Sequence, residues 1–321
     1  MYKKTILITG ANGEIGQSLI KYFQSENKYK IIALDISGNL HDLNIEQFIT
    51  GSITDKKLLE KIFNKNKIDT VYHLAAILSS KAELNQKLAY DVNVNGSKNI
   101  IDFSVNSKNN IQFFFPSSIA VYNTQNITKT INENDCLDTP LTIYGQNKLE
   151  IENYGIHKNN KSFNFKCIRF PGIISATSIP TGGTSDYAPE MIHSAAQNKN
   201  YSCFANAKSK LPFIVMPDAI KAIIMLMQTK TNKLNSNVYN ITAFNPSIEE
   251  FYLETLKYFN NFKIEYIINE QRQKIINSWP DKINDENARN DWDWKPNYNF
   301  QSAYSQYIIP KINSYYQRIE K

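Results

Sequence analysis

Ile6-Leu7-Ile8-Thr9-Gly10-Ala11-Asn12-Gly13-Glu14-Ile15-Gly16 runs an apolar strand pattern into a turn punctuated by three glycines and then into the start of a helix. Glycine lets the backbone approach a phosphate closely and lets the helix pack against the strand. The helix N-terminus that follows presents N–H groups to an anion. Gly10, Asn12, Gly13, Glu14, Ile15 and Gly16 are therefore read as a cradle for a dinucleotide pyrophosphate. Three glycines in a turn are a weak signal alone; their place after the first strand strengthens it. Asp35 ends the second strand, 19 residues beyond Gly16, where a carboxylate accepts hydrogen bonds from the adenosine ribose. Ile36 comes next, and no arginine follows to hold a 2′-phosphate, so NAD is expected over NADP.

Beyond this stretch, strand and helix patterns alternate. Strand-like runs at Thr5–Thr9, Ile31–Leu34, Val71–Leu74, Ile111–Phe115 and Phe165–Phe170 are almost continuously apolar, as in strands buried on both faces. Helical patterns lie between them at Ile15–Phe23, Asp55–Phe63, Leu88–Phe103 and Tyr144–Ile156. The alternation predicts an α/β fold, a doubly wound parallel Rossmann sheet with right-handed crossovers. Residues 1–170 are expected to form the nucleotide-binding domain. After Arg169 the rhythm breaks into a loop, Pro171 to Tyr187. Helices follow near Pro189–Gln197, Asp218–Gln228 and Ser247–Tyr258, with a strand pair near Val238–Ile241 and Ile264–Ile268. Residues 171–321 are expected to form mainly a smaller substrate-binding lobe, with segments around 210–245 returning to the main sheet.

Composition narrows the function. The 321 residues include 42% apolar side chains, enough for a sizeable core. The longest apolar candidate for a membrane span, Ala219 to Met227, is short and contains Lys221. Met1 stands four residues before Thr5, which leaves no room for a leader peptide, so a cytoplasmic protein is expected. The net charge of +6 is dispersed in short runs, which argues for solvated faces and against nucleic-acid binding. Cys136, Cys167 and Cys203 are widely spaced, as are His41, His73, His157 and His193, so neither a disulfide framework nor a metal site is expected.

The chemistry is concentrated in Ile143-Tyr144-Gly145-Gln146-Asn147-Lys148. Positions i and i+4 share a helix face, which sets a phenol beside an ammonium. A free phenol titrates near ~10, and an adjacent ammonium favours the phenolate. A nucleotide cradle with such a pair reads as an oxidoreductase using a nicotinamide cofactor. Ser118, after the strand Phe113-Phe114-Phe115, can hydrogen-bond a reacting oxygen. Ser52 and Ile53 follow the third strand and are placed beside the adenine. His73-Leu74-Ala75-Ala76 ends the fourth, where small residues admit a ribose; the His73 ring itself reads better as a packed core histidine than as a base.

Gly10-x-x-Gly13-x-x-Gly16, Asp35, Ser118 and Tyr144-x-x-x-Lys148 together resemble the extended short-chain dehydrogenase/reductase superfamily. Asn93 matches that superfamily's active-site-supporting helix asparagine. Arg169-Phe170-Pro171-Gly172-Ile173-Ile174-Ser175, Gly182-Gly183-Thr184-Ser185-Asp186-Tyr187, Arg272-Gln273, Ser278-Trp279-Pro280 and Ala288-Arg289-Asn290-Asp291-Trp292 resemble the short-chain type of L-threonine 3-dehydrogenase. The resemblance implies NAD-dependent oxidation of the L-threonine hydroxyl to 2-amino-3-oxobutyrate, with Tyr144, Lys148 and Ser118 catalytic. It implies that Ile173 positions the nicotinamide and that Ser79, Gly183, Thr184 and Trp279 contact the substrate. A homodimer pairing through Leu88–Phe103 and Tyr144–Ile156 is implied as well. Three residues depart from the family pattern: Thr181 where a third glycine is usual, Ser118 where threonine is common, and Ser52 in place of an aspartate. A sugar-nucleotide epimerase or dehydratase, or a non-catalytic NAD- or RNA-binding relative, would share the N-terminal motifs.

Overall fold

A computed structural model describes residues 3–38, 43, 45–124, 130–135, 137–180 and 183–319. His41, Cys136, Thr181 and Gly182 lie outside the described residues. The chain divides into two compact units, each assembled from three separate segments. The first comprises Met1–Val121, Ile143–Arg169 and Ile220–Tyr239; the second comprises Tyr122–Thr142, Phe170–Ala219 and Asn240–Lys321.

The first unit is built on a seven-stranded sheet. Its strands are β1 (Lys4–Thr9), β2 (Tyr29–Asp35), β3 (Gln47–Thr50), β4 (Thr70–His73), β5 (Ile111–Ser118), β6 (Phe163–Phe170) and β10 (Val238–Asn240). The order across the sheet is β3-β2-β1-β4-β5-β6-β10. β1 pairs in parallel with β2 and β4, β2 with β3, and β4 with β5. This is the doubly wound order with its switch point between β1 and β4. The apolar runs are there because both faces are covered: Ile6, Leu7, Ile8, Ile32, Val71, Phe113 and Phe165 are all buried.

The helices of this unit are α1 (Glu14–Glu26), α2 (Lys56–Lys65), α3 (Ser79–Leu84), α4 (Gln86–Tyr90), α5 (Ser97–Val105) and α6 (Ile143–Lys158). The helix expected over Leu88–Phe103 is not continuous. A wider π-helical turn, Asp91–Gly96, separates α4 from α5. Gly96 in that turn admits Ile53; a Cβ at Gly96 would sit 2.7 Å from the Ile53 side chain. α6 packs close on β6, since a Cβ at Gly155 would fall 2.2 Å from the Phe165 ring.

Two expectations for the C-terminal half are corrected. The segment after Pro171 is not all loop: Gly172–Ile174 (β7) pairs in parallel with Phe213–Val215 (β9). The strands near Val238 and Ile264 are not partners. β10 joins the large sheet, while β11 (Ile264–Tyr266) pairs in parallel with β8 (Tyr201–Cys203). Tyr187 of the helix Tyr187–Ala196, Phe213 of β9, Phe251 of the helix Ile248–Leu256 and Tyr304 form an aromatic cluster.

Candidate active site

The nucleotide end of the first unit is shaped by backbone. Gly10 has φ +66°, and a Cβ there would lie 2.6 Å from the Ala75 nitrogen; one at Gly16 would lie 2.6 Å from the Ala11 and Gly10 carbonyl oxygens. A side chain at Gly10 would push the turn away from the chain that follows β4, and one at Gly16 would push α1 away from the turn. Gly13 caps α1 with no side-chain hydrogen bond, so the first N–H groups of that helix, from Glu14 and Ile15 onward, are arranged as in an anion site. At the end of β2 the Asp35 carboxylate accepts the Asn12 N–H at 2.9 Å, which ties the glycine turn to the end of that strand. Ile36 beside it is exposed. The Ser52 hydroxyl bonds the Thr54 hydroxyl at 2.8 Å, and the Ile53 side chain is buried in the core. Ile53 can therefore reach a nucleotide only with its main chain. The compressed glycines and the Asp35–Asn12 clamp fit a dinucleotide.

His73, at the end of β4, is buried with both ring nitrogens engaged: Nδ1 with Thr9 Oγ1 at 2.7 Å and Nε2 with Ser97 Oγ at 2.8 Å. Burial, and secondarily the Lys148 charge, hold its pKa down to about 3. Its ring is a neutral strut, and a cofactor contact here falls to its main chain and to Leu74, Ala75 and Ala76. Asn93 stands in the π-helical turn and clamps the chain beyond them. Its Oδ1 accepts the Ile77 N–H at 2.7 Å, and its Nδ2 donates to the Ile77 carbonyl at 2.9 Å. Two residues later Ser79 begins α3, half-buried.

Half-buried Tyr144 and buried Lys148 lie four residues apart on α6, with buried Glu152 four residues further on. The Lys148 ammonium donates to the Pro116 carbonyl at 2.7 Å, two residues before Ser118 on β5. It lies 4.5 Å from the Phe115 ring centre and 5.5 Å from that of Tyr144. Ser118 Oγ accepts the Ala120 N–H at 3.2 Å. Burial acts against the expected phenolate: it pushes the Tyr144 phenol up and holds Lys148 down to about 8. Both groups are thus driven toward their neutral forms by loss of water. Below Lys148, Glu152 takes a buried bidentate bond from Arg169, Nη2 to Oε2 at 2.6 Å and Nε to Oε1 at 2.9 Å.

In the second unit, Ile173 lies on β7 opposite Ile214. Gly183 donates its N–H to Asp186 Oδ2 at 2.6 Å, and Thr184 is buried. Trp279 is buried directly after the helix Glu270–Ser278, and its carbonyl accepts the Thr124 hydroxyl at 3.3 Å.

The family model of the NAD dependent epimerase/dehydratase family matches residues 6–242, from the first strand of the glycine turn to beyond β10. The chain belongs to the NAD dependent epimerase/dehydratase family. Its similarity extends past the matched region. A mitochondrial L-threonine 3-dehydrogenase from Bos taurus is 33% identical over 299 residues, covering 91% of this chain and 79% of the relative. A monomeric L-threonine 3-dehydrogenase from a metagenome, solved in its apo form, superposes with a TM-score of 0.89 at 36% identity over 97% of this chain and 99% of that one. An L-threonine dehydrogenase from Clostridium difficile superposes with a TM-score of 0.89 at 31% identity over 99% of both chains.

One contributor to this family site has no signal in the sequence. Glu83, on α3, accepts the N–H groups of Ile143 at 2.8 Å and Tyr144 at 3.4 Å, and so caps the helix that carries the pair. It lies 60 residues from Ile143 in the chain, and nothing near Ile143 points to it. The Glu152–Arg169 pair is equally silent, because a charged residue in a helix is ordinarily read as solvent-facing.

Proposed function

We infer that this chain is an NAD-dependent L-threonine 3-dehydrogenase, oxidising the β-hydroxyl of L-threonine to 2-amino-3-oxobutyrate. The observation that carries the reading is whole-length likeness to L-threonine dehydrogenases at 31% and 36% identity. Half-buried Tyr144 and buried Lys148 on one face of α6, the latter tied to the strand that bears Ser118, support it.

In this reading Tyr144 takes the proton of the substrate hydroxyl, and Ser118 donates a hydrogen bond to the same oxygen. Lys148 steadies the phenolate while its own position is set by Pro116 and the Phe115 ring. NAD, when bound, supplies the hydride acceptor and a positive charge that offsets the cost of a buried phenolate. Gly10, Asn12, Gly13, Glu14, Ile15, Gly16, Asp35, Ile36, Ser52, Ile53, residues 73–76, Asn93, Tyr144, Lys148 and Ile173 are assigned to holding the cofactor. Asn93 does so indirectly, through Ile77. Ser79, Gly183, Thr184 and Trp279 are assigned to the amino acid. A homodimer pairing through Leu88–Phe103, which spans α4, the π-helical turn and α5, and through Tyr144–Ile156 of α6 is proposed as well. Leu88, Tyr90 and Ile156 are exposed there. Buried, unbridged Cys167 and Cys203 favour the cytoplasm.

The test is NADH absorbance with purified protein, NAD and L-threonine. Threonine-dependent NADH formation is expected. Its absence, with interconversion of a nucleotide sugar instead, would assign the chain to the epimerases of the same family.

A further inference from the structure

Gly183 and Thr184 depend on a side chain that the proposed chemistry does not use. Arg272 Nη2 donates to the Gly183 carbonyl at 2.7 Å. The same carbonyl accepts the Asp186 N–H at 3.1 Å, and the Gly183 N–H donates to Asp186 Oδ2. Gly183–Asp186 is thus a turn closed on itself at two points, with Arg272 as its third tie. The guanidinium lies flat enough against Phe204 to bring its central carbon 3.1 Å from the ring centre. Such stacking fixes the plane of the fork and therefore the direction of the bond it gives.

Arg272 is placed in turn by its helix. Asn269 caps Glu270–Ser278 by accepting the Arg272 N–H at 3.0 Å, and the Asn269 N–H donates to the Phe204 carbonyl at 2.9 Å. The far end of that nine-residue helix leads directly into Trp279. One short rigid element therefore holds the turn carrying Thr184 at its first residues and Trp279 at its last. Glu190 and Asp186 supply the carboxylates that face Arg272, and Tyr201 donates to Glu190 at 2.7 Å.

We propose that Arg272 is a positioning residue for substrate binding, fixing the Gly183 carbonyl and hence the place of Thr184, in concert with Trp279 at the other end of its helix. The proposal rests on the L-threonine 3-dehydrogenase reading, and its test separates the two. Arg272→Lys keeps the charge and loses the planar, stacked fork. With L-threonine as substrate, its KM is expected to rise by about tenfold or more, the scale of one charge-assisted hydrogen bond, with the KM for NAD within about twofold of wild type. A threonine KM that does not change overturns the proposal. Hydrogen exchange of the same two proteins gives a readout that needs no activity. The Gly183 and Asp186 amides should exchange about tenfold faster in Arg272→Lys, while those of the helix Ile248–Leu256 keep their wild-type rates. Equal acceleration everywhere would indicate general loosening, and unchanged exchange at Gly183 and Asp186 would show that Arg272 does not hold the turn; either overturns the proposal. Wild-type protein inactive on L-threonine would defeat the assigned reaction, and the exchange data would then decide the role of Arg272 by themselves.

Discussion

Tyr144 shows how far a single residue can be read from sequence. Its spacing from Lys148 places phenol and ammonium on one helix face, and they are found there, 5.5 Å apart from ring centre to nitrogen. The direction of its proton affinity was not legible, because burial depends on groups far away in the chain, and burial raises it. Tyr144→Phe keeps the ring and removes the proton acceptor. Turnover on L-threonine should fall by about 10²-fold or more, measured as NADH formation, with NAD affinity retained; near-normal turnover would remove Tyr144 from the chemistry. Asp35 tests the other end of the site. Its carboxylate holds the Asn12 N–H, and on the proposed reading it repels a 2′-phosphate. Asp35→Ser should narrow the preference for NAD over NADP in the ratio of the two kcat/KM values. A ratio equal to wild type would show that another group chooses the cofactor.

At the scale of elements, legibility followed burial and length. β1, β2, β4, β5 and β6 stood out because runs such as Ile31–Leu34 and Phe113–Phe115 are apolar on both sides. β7, β8 and β9 are three residues each, too short for a periodic signal. β11 was expected near Ile264, but its partner was not legible, because the pairing joins residues such as Tyr201 and Ile264 that are distant in the chain. The π-helical turn was hidden for a different reason: Asp91–Gly96 has ordinary helical spacing, and the Asn93 clamp on Ile77 that it carries reaches 16 residues along the chain. Asn93→Ala should leave both main-chain groups of Ile77 without that partner. A cost of about 1–3 kcal/mol is expected in denaturant unfolding. A loss below about 0.5 kcal/mol would mean that the clamp is dispensable, on the ordinary scale of surface substitutions.

Across the whole molecule, buried ionisable groups shape the pH dependence of stability. Lys148 and Lys166 are both buried and both held down to about 8, chiefly by loss of water. Lys166 donates to the carbonyls of Leu226 and Thr229 at the end of the helix Met216–Gln228. An unfolded lysine keeps its proton to about pH 10.4. Above pH 8 the unfolded chain therefore holds more protons than the folded one, and stability rises with pH. Buried Cys167 and Cys203, held above the ordinary thiol range, oppose this from about pH 9. On the acid side His73 stays neutral until about 3 when folded, so stability falls as pH drops below about 6.5, the range where the unfolded ring takes its proton. Between pH 8 and 9, Lys166→Met should reduce the upward slope of unfolding free energy by up to about 1.4 kcal/mol per pH unit. An unaltered slope would mean that Lys166 already titrates normally in the folded protein.

The interleaving of the two units has a consequence for biosynthesis. The chain crosses from one unit to the other after Val121, Thr142, Arg169, Ala219 and Tyr239. When a ribosome joins Phe170, the last residue of β6, the first residue of β10, its neighbour in the sheet, is still 68 residues from synthesis. Throughout that interval β6 is an uncovered sheet edge, the kind of surface on which nascent chains associate wrongly. A stop codon placed after Arg169, where a simple two-domain view would cut, freezes the chain in that exposed state. The nucleotide-binding half of this protein is consequently not an inheritable module that can be lifted out of its gene in one piece.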